Sequence, residues 1–393
     1  MSEYDAIVIG GGMVGAAAAA LLAQQSMRVA VIEARLPEVN LDDDAIDLRV
    51  SAISHASQSL LDQVGAWQKI ETKTIAAFRE MRVWDSAVPP ESAQVVHFDS
   101  AEIGEADLGF IIENRRILAA LHRCLAELDS VVVFAPASAI RIVNGDDDIE
   151  VRLDDERRLR ARLVIGADGA RSNTRQLAGI ETEGWSYEQK AVVTHVSTSE
   201  PHRDTAYQRF LPDGPIALLP LYDGRCSIVW STTLEQADAL LEMESAEFDR
   251  QIEQATDQVL GRVVDSDRRA AFPLQLLHAA SYVRRRLVLL GDAAHAVHPL
   301  AGQGVNLGFA DARTLSQVIG EAGTEVMGDL GVLRRYERQR KSENLLMMGS
   351  FDLLNRLFRQ PAPLVGHART LGMSLFNRMT PLKQAVMRRA MGK

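Results

Sequence analysis

The stretch Tyr4–Gly15 reads YDAIVIGGGMVG and decides the fold of this chain. Residues 6–9 form a continuous apolar run, which is typical of a parallel strand buried on both faces. Gly10, Gly12 and Gly15 then match the spacing G-x-G-x-x-G, and the Ala-rich segment after them predicts a helix. Such a turn lets a pyrophosphate approach the backbone at the start of a helix. The stretch therefore predicts a dinucleotide site.

An acidic residue completes the βαβ unit. Residues 28–32 form a second predicted strand, and Glu33 follows it directly. A carboxylate at this point accepts hydrogen bonds from ribose hydroxyls and disfavours a 2′-phosphate. The nucleotide is therefore expected to be FAD or NAD rather than NADP. A glycine turn without a ligand is the alternative interpretation, and the strand, helix and acid together disfavour it.

The composition excludes several classes of protein. The 393 residues are 47% apolar, which predicts two or three globular domains. The net charge is 43 − 53 = −10, which argues against nucleic acid as a partner. Cys124 and Cys226 are too few for a disulfide framework and too far apart for a metal motif, so we expect a cytoplasmic protein without a metal site.

Ala6–Met27 is uncharged, but its glycines and the acidic residues before it argue against a membrane span or a signal peptide.

Two later motifs distinguish FAD from NAD. A predicted strand at 161–165 leads into Asp168 and Gly169, and another at 287–290 leads into Gly291 and Asp292. Ligands of open α/β sheets bind at such carboxyl ends of strands, where Asp292 is well placed to bind a ribityl hydroxyl. The segment 299–304 then reads PLAGQG, and its glycine turn opens a helix whose N–H groups can hold part of a flavin.

With these three motifs in order, the chain resembles the class A flavoprotein aromatic hydroxylases, whose familiar fold is that of para-hydroxybenzoate hydroxylase. Within this class it is most similar to the ubiquinone-biosynthesis hydroxylases. The resemblance covers nearly the whole chain, and it is carried by residues 49–53, 113–114, 163–172, 224–230 and 291–308.

The resemblance implies a role for each matching residue. Arg49 and Asn114 would contact the flavin nucleotide, and a solvated loop arginine is the alternative for Arg49. Asp168 and Gly169 would serve both FAD and NAD(P)H, although capping of a turn explains Asp168 equally well. The expected cofactor-binding residues are Gly10, Gly12, Gly15, Glu33, Arg49, Asn114, Asp168, Gly169, Asp292, Gly302, Gly304, Val305 and Asn306.

The same resemblance implies ring hydroxylation with O2 through a flavin C4a-hydroperoxide, with NAD(P)H as a transient co-substrate. Pro299 would flank the flavin ring. A base for the ring hydroxyl would be useful, and His298 and His55 are the candidates, although a structural role is the commoner one for such histidines. Arg209, Leu219 and Tyr222 are the candidate substrate contacts.

The fold class follows from the same segments: an α/β protein whose Rossmann-like FAD-binding domain is discontinuous, with an inserted antiparallel-sheet substrate domain and a C-terminal helical region. Short alternating strands separated by Gly and Pro turns predict the inserted sheet, and a helical stretch at 234–260 follows it. We assign 1–75, 101–180 and 271–335 to the FAD-binding domain, 76–100 and 181–270 to the substrate domain, and 336–393 to the helical region.

The predicted function is FAD-dependent hydroxylation of a polyprenylated phenol or benzoquinol in ubiquinone biosynthesis. Two alternatives stay open at this point: a FAD-dependent reductase or oxidase of an isoprenoid or another aromatic compound, and a flavin-binding scaffold of a biosynthetic complex. The ring position, the choice of NADH or NADPH and the oligomeric state, including a homo-oligomer, also stay open.

The charge is concentrated at the end of the chain. From Arg334 onward there are thirteen Lys and Arg residues against three acids, whereas the residues before Arg334 carry about −20. From Ser342 the segment is helical and amphipathic in pattern. One interpretation is a helical cap on the FAD-binding domain. The other is peripheral docking to the inner face of an anionic membrane or to other ubiquinone-biosynthesis proteins.

Overall fold

The computed structural model describes residues 3–36, 38, 41, 46–296, 304–359 and 363–392. Its α-helices are α1 (Met13–Ala23), α2 (His55–Gln63), α3 (Asn114–Ala126), α4 (Asn173–Leu177), α5 (Leu234–Glu242), α6 (Ser245–Ala255), α7 (Gly304–Ala322), α8 (Leu330–Arg359), α9 (Pro363–Arg378) and α10 (Thr380–Met391). Short 3₁₀ turns lie at Trp67–Lys69, Thr72–Thr74, Ser100–Ile103, Gly291–Ala293 and Thr324–Val326.

The strands, in chain order, are β1 (Tyr4–Ile9), β2 (Val29–Ile32), β3 (Val50–Ile53), β4 (Ala76–Phe78), β5 (Glu80–Asp85), β6 (Val96–Asp99), β7 (Gly109–Glu113), β8 (Val131–Phe134), β9 (Ala139–Asn144), β10 (Ile149–Leu153), β11 (Arg158–Gly166), β12 (Thr182–Thr198), β13 (Thr205–Leu211), β14 (Gly214–Pro220), β15 (Cys226–Thr233), β16 (Val263–Ser266), β17 (Ala270–Ala279), β18 (Val283–Arg284), β19 (Leu287–Leu289) and β20 (His295–Ala296).

The first sheet is the nucleotide-binding sheet, and it draws on three separated parts of the chain. Its order is β18-β19-β11-β1-β2-β8, with β10 beside β11 and β9 beside β10. The pairs that join β19, β11, β1, β2 and β8 are all parallel. Strands β1, β2 and β19 are buried, because α1, α3 and α7 cover the sheet with apolar side chains, whereas the edge strands β8 and β9 are partly exposed. The predicted Rossmann-like domain made of discontinuous segments is confirmed.

The second sheet is mainly antiparallel and is inserted between those parts. Its order is β20-β17-β12-β15-β14-β13-β5-β6, and β16 pairs with β12. Helices α5 and α6 lie behind it, with Leu240, Phe248 and Ile252 in the same apolar cluster. A small third sheet, β3-β7-β4, lies on the other side of an apolar cluster that contains Leu219 and Ile111. The inserted sheet of the sequence analysis is present, and the domain boundaries stay predictions.

The helical stretch predicted at 234–260 consists of two helices. Met243 and Glu244 both have extended backbones, so the segment forms α5 and α6. Because the chain changes direction between them, each helix orients its own apolar face toward the second sheet.

The C-terminal helices pack on both large sheets. Helix α8 begins at Leu330, earlier than the amphipathic pattern from Ser342 suggests. Phe358 stacks on Phe210 with ring centroids 3.9 Å apart, and the Arg369 guanidinium lies 2.8 Å from the buried Asp85 carboxylate. No helix within the described ranges is long and apolar enough to cross a membrane.

A buried carboxylate connects α7, α8 and the turn after β19. Asp311 is fully buried, and its Oδ1 accepts hydrogen bonds from Arg340 Nε at 2.7 Å and from Asn344. Its Oδ2 accepts from the Gly291 N–H at 3.0 Å and lies 2.5 Å from His295 Nε2. Burial by itself raises the pKa of this carboxyl, but His295 and Arg340 hold the pKa below its ordinary value.

We expect Asp311→Ala to lower the free energy of unfolding by about 3–5 kcal/mol, because it leaves the buried Arg340 guanidinium without its main partner. Urea denaturation of the purified protein measures this change. Glu343→Ala is the matched control, because Glu343 is an exposed partner of the same arginine and its loss should cost no more than about 1 kcal/mol. Equal losses in the two variants would contradict this account of Asp311.

Candidate FAD site

A cleft of about 460 Å³ lies between the carboxyl edge of the first sheet and one face of the second. The first sheet contributes the turns that follow β1, β11 and β19, and the second contributes side chains of β12, β15 and β17. The third sheet and the first turns of α3 and α7 close its sides. This is the position at which open α/β sheets bind their ligands.

Seven of the predicted cofactor-binding residues line this one cleft. They come from six separate stretches of sequence: Gly12, Arg49, Asn114, Gly169, Asp292, and Gly304 with Val305. The three motifs therefore converge in space. Whether each residue contacts the cofactor stays a prediction.

The glycine-rich turn has the close packing that its spacing predicts. A Cβ added at Gly10, whose φ is +103°, would lie 2.5 Å from the Ala167 carbonyl oxygen, and one added at Gly15 would lie 1.9 Å from the Gly10 oxygen. A Cβ at Gly12 would meet no atom within 4 Å, because this residue faces the cleft. The close packing of the turn thus requires glycine at positions 10 and 15, while Gly12 leaves room for a ligand.

Glu33 supports the same turn from behind. Its Oε2 accepts a hydrogen bond from the Gly11 N–H at 2.7 Å, and its Oε1 accepts from the Arg35 N–H at 3.1 Å. The buried His122 of α3 contacts the Gly11 carbonyl oxygen through Nε2 at 2.7 Å. Sequence reasoning missed His122, because nothing in its helical context marks it as a neighbour of the turn.

Arg49 and Asp292 supply the two opposite charges of the cleft. The Arg49 guanidinium lies 5.7 Å from the Phe272 ring centroid, and all three residues line the cleft. The surrounding protein raises the pKa of the Asp292 carboxyl by removing water, while His295 and Arg49 oppose that rise. Asp292 has no hydrogen-bond partner among the described residues, so its oxygens are available to ligand hydroxyls.

Asp168 uses its side chain within its own loop. Its Oδ1 accepts from the Ser172 hydroxyl, and its Oδ2 accepts from the N–H and the hydroxyl of Thr174, both at 2.9 Å. These contacts fit the turn-capping alternative, with Gly169 left to face the cleft. Arg175 donates to the carbonyls of Ala170 and Ala293, so a buried arginine that the sequence analysis did not single out joins the two motif loops.

The start of α7 is held by Asn306. Its Oδ1 accepts hydrogen bonds from the Ser54 N–H at 3.1 Å and the Ser57 hydroxyl at 2.7 Å, and its Nδ2 donates to the Ala52 carbonyl at 2.8 Å. The side chain is thus bound to the segment that joins β3 to α2. Asn114 similarly accepts from the Ser51 hydroxyl at 2.6 Å. Of the remaining predicted residues, His298, Pro299 and Gly302 lie outside the described residues.

The second sheet forms an apolar roof over this charged floor. Val193, Val229 and Leu274 face the cleft, and Leu219 belongs to the neighbouring cluster between the second and third sheets. Tyr222 packs against that cluster; burial raises the pKa of its hydroxyl, with Glu113 adding to the rise and Arg116 opposing it.

Arg209 lies on the opposite face of the second sheet. It shares that face with Tyr207 and Leu218, which pair across β13 and β14. Its Nη1 donates to the carbonyls of Gln254 at 2.9 Å and Ala255 at 3.1 Å, at the end of α6. Of the three predicted substrate residues, Leu219 and Tyr222 thus meet at one cluster, whereas Arg209 lies on the other face of the sheet.

His55 begins α2 outside the cleft. Its Nε2 lies 2.9 Å from Asp107 Oδ1 and 3.2 Å from the Asp107 carbonyl oxygen, and its ring packs edge-on against Phe110. Burial raises the pKa of the Asp107 carboxyl, and the nearby His55 opposes that rise. This arrangement explains the position of His55 structurally, and its catalytic role stays a prediction.

The cleft fits FAD on its own geometry. It combines the open Gly12 position, an unpartnered carboxylate at Asp292, a cation at Arg49 and the helix start at Gly304. Residues 141–346 match the sequence family described as FAD binding domain, and residues 8–36 match the NAD(P)-binding Rossmann-like domain.

The similarity to known proteins extends over nearly the whole chain. The chain is 38% identical over 387 residues to the 3-demethoxyubiquinol 3-hydroxylase of Escherichia coli (strain K12). The aligned region covers 98% of this chain and 97% of that protein. It is 37% identical over 437 residues to the mitochondrial ubiquinone biosynthesis monooxygenase COQ6 of Rattus norvegicus, covering 98% and 90% respectively. The crystal structure of p-nitrophenol 4-monooxygenase PnpA from Pseudomonas putida DLL-E4 matches with a TM-score of 0.78 at 19% identity, covering 98% of this chain and 96% of that one.

Fold, cleft and relatives together define a FAD-dependent monooxygenase. More closely, the chain belongs to the family of the ubiquinone-biosynthesis hydroxylases, because its identity to them extends over nearly its full length. The predicted family, enzyme class and FAD cofactor are thereby confirmed.

We expect Gly12→Ala to weaken FAD binding by about tenfold or more while leaving the stability of the FAD-free protein unchanged, because the added methyl enters only the cleft. Gly15→Ala should instead lower the free energy of unfolding by about 1–3 kcal/mol, because its methyl collides with the Gly10 carbonyl. Fluorescence titration with FAD and urea denaturation of the FAD-free variants separate the two effects. Full FAD affinity in Gly12→Ala would contradict the placement of the ligand at this residue.

Proposed function

We propose that this enzyme hydroxylates the ring of a polyprenylated phenol or benzoquinol in ubiquinone biosynthesis, with NAD(P)H and O2 as co-substrates. The observation that carries the proposal is the pairing of a charged, FAD-binding floor with the apolar roof of the second sheet. The names of the relatives, one a demethoxyubiquinol hydroxylase and the other a ubiquinone biosynthesis monooxygenase, support a lipophilic quinol as the substrate class.

The difficult chemistry belongs to the cofactor. When bound, FAD accepts a hydride from NAD(P)H and activates O2 for insertion into an electron-rich ring. In our proposal Gly12 and Gly169 lie against the nucleotide, Asp292 accepts hydrogen bonds from ribityl hydroxyls, and Arg49 balances the negative charge of the pyrophosphate. Only one βαβ nucleotide site is found among the described residues, so we infer that NAD(P)H binds transiently.

The protein's own contribution is to orient the substrate ring and to exclude water. Val193, Val229 and Leu274 present no polar side-chain atom to the cleft, and Leu219 continues this apolar surface toward the third sheet. A wall of this kind excludes water, which limits side reactions, and it favours binding of an apolar ring. No side-chain nucleophile is required for this reaction.

A general base would make the ring more reactive by removing the proton of its hydroxyl. His298, next to Pro299, and His55 stay our candidates for this role. Because His55 already contacts Asp107, its use as a base requires the pair to act together. Leu219 and Tyr222 stay candidates for substrate contacts, and Arg209 would act through the packing of α6 behind the sheet.

The first experiment measures turnover. We expect NAD(P)H oxidation to rise several-fold when a short-chain polyprenyl phenol or benzoquinol is added to the FAD-loaded protein, with one atom of ¹⁸O from ¹⁸O2 in the product by mass spectrometry. Substrate-dependent oxidation of NAD(P)H without incorporation of ¹⁸O would indicate a reductase or oxidase instead. No stimulation by any phenol or quinol would favour a flavin-binding scaffold.

We also propose that the C-terminal helices dock on an anionic membrane surface, from which a lipophilic substrate can be taken. Leu371 (71%) and Leu375 (59%) are exposed one turn apart on α9, and Leu382 (45%) and Val386 (42%) are exposed one turn apart on α10. The exposed Met379 (44%) lies between the two helices. The region that contains them has a local charge of +10, and exposed Arg378 and Arg388 flank them. An apolar stripe with cations beside it is the pattern of an interfacial helix.

The double variant Leu371→Ser/Leu375→Ser should bind vesicles that contain anionic phospholipid several-fold more weakly than the parent, because it removes apolar contact without changing charge. Co-sedimentation with anionic and with neutral vesicles measures this effect. Ile140→Ser/Val143→Ser is the matched control, since both residues are exposed on β9 of the first sheet. Equal sedimentation of the two double variants would argue against membrane docking through these helices.

A further inference from the structure

A second cavity, of about 400 Å³, lies between α2, α7, α8 and α10. It is separated from the FAD cleft by the first turn of α7: Gly304 and Val305 line the cleft, whereas Asn306 and Leu307 line this cavity. No described residue lines both spaces. We refer to the second space as the α7–α10 cavity.

Two guanidinium groups reach the α7–α10 cavity without a carboxylate partner. Arg313 of α7 is half-buried, and the only hydrogen bond of its guanidinium with a described residue is from Nη2 to the Ala56 carbonyl at 3.0 Å. Burial lowers the pKa of this guanidinium, and no acidic group opposes that change. The Arg389 side chain of α10 is exposed, and its guanidinium has no ion pair or hydrogen bond with any described residue.

The third arginine of the lining is already neutralised. Arg340 contacts the buried Asp311 and the exposed Glu343, and Glu343 is the only acid that lines the cavity within the described ranges. The lining therefore carries a surplus of positive charge in a protein whose net charge is −10. A half-buried, uncompensated cation is costly, and an anionic ligand removes that cost.

The other lining groups suit an anion that carries an apolar part. Thr314 lines the same space as Arg313, and Leu60 and Met347 supply an apolar wall. The planar guanidinium fork matches phosphate oxygens in pairs, which makes arginine the usual partner of phosphate groups.

We propose that the α7–α10 cavity binds the phosphate or diphosphate group of a small organic ligand, with Arg313 as the pre-positioned cation and Arg389 closing over the anion from α10. A nucleotide and a phospholipid headgroup offer the same chemistry to these two residues. The ligand would rest against α7 on the side opposite to the FAD cleft, so both could be bound at once.

The test uses the full-length, FAD-loaded protein and isothermal titration with sodium pyrophosphate. We expect saturable binding to the parent, about tenfold weaker binding to Arg313→Gln, and a loss of about threefold in Arg389→Gln. Arg338→Gln is the matched control, since it removes the same charge from an exposed position of α8 outside the cavity lining and should bind like the parent. The flavin absorbance must stay constant throughout, which shows that pyrophosphate does not displace FAD.

Two further titrations, with ADP and with a short-chain phosphatidic acid below its micelle concentration, distinguish the sources. Tighter binding of ADP indicates a nucleotide, and tighter binding of phosphatidic acid indicates a lipid. The proposal is overturned if neither these probes nor pyrophosphate bind, if pyrophosphate releases FAD, or if Arg313→Gln binds as tightly as Arg338→Gln. Should Arg313→Gln fail to fold, the exposed Arg389→Gln decides: an affinity equal to that of Arg338→Gln also overturns it.

Discussion

The arrangement of the FAD cleft depends on the buried carboxylate of Asp311. A negative charge taken out of water is tolerated only when donors surround it, and here Arg340, His295 and the Gly291 N–H do so at once. Because these groups belong to α8, β20 and the turn after β19, the carboxylate sets how the three meet. The Asp292 carboxylate, one residue beyond Gly291, is aimed into the cleft as a consequence.

The apolar wall of the cleft, which faces Asp292 and Arg49, depends on the pleat and the strand register of the second sheet. Adjacent residues of a strand point to opposite faces, so Leu218 packs behind the sheet toward α5 and α6 while Leu219 joins the apolar cluster on the front. The pairing of Tyr207 with Leu218 assigns Arg209 to the rear face. A shift of one residue in this pairing would move Arg209 to the front face of the sheet.

Most of the fold and the floor of the site could be predicted, because they are encoded in local spacing. Gly12 and Asp292 each lie in the turn after a parallel strand, and the carboxyl ends of parallel strands form the ligand-binding edge of the sheet. The face of Arg209 could not be predicted in the same way, since it depends on register. His122 and Arg175 could not be predicted either, because each contacts a backbone carbonyl that is distant in sequence: Gly11 for His122 and Ala293 for Arg175.

By itself, then, the sequence determined the cofactor class, the discontinuous FAD-binding domain and the basic amphipathic end of the chain, all of which are properties of short segments. Only the tertiary structure decided which residues meet: the confinement of Asn306 by Ser54 and Ser57, the pairing of His55 with Asp107, and the uncompensated charge of Arg313. The physical reason is that burial and charge compensation depend on neighbours from distant segments, whereas strand, turn and helix propensities depend mainly on residues nearby in the chain.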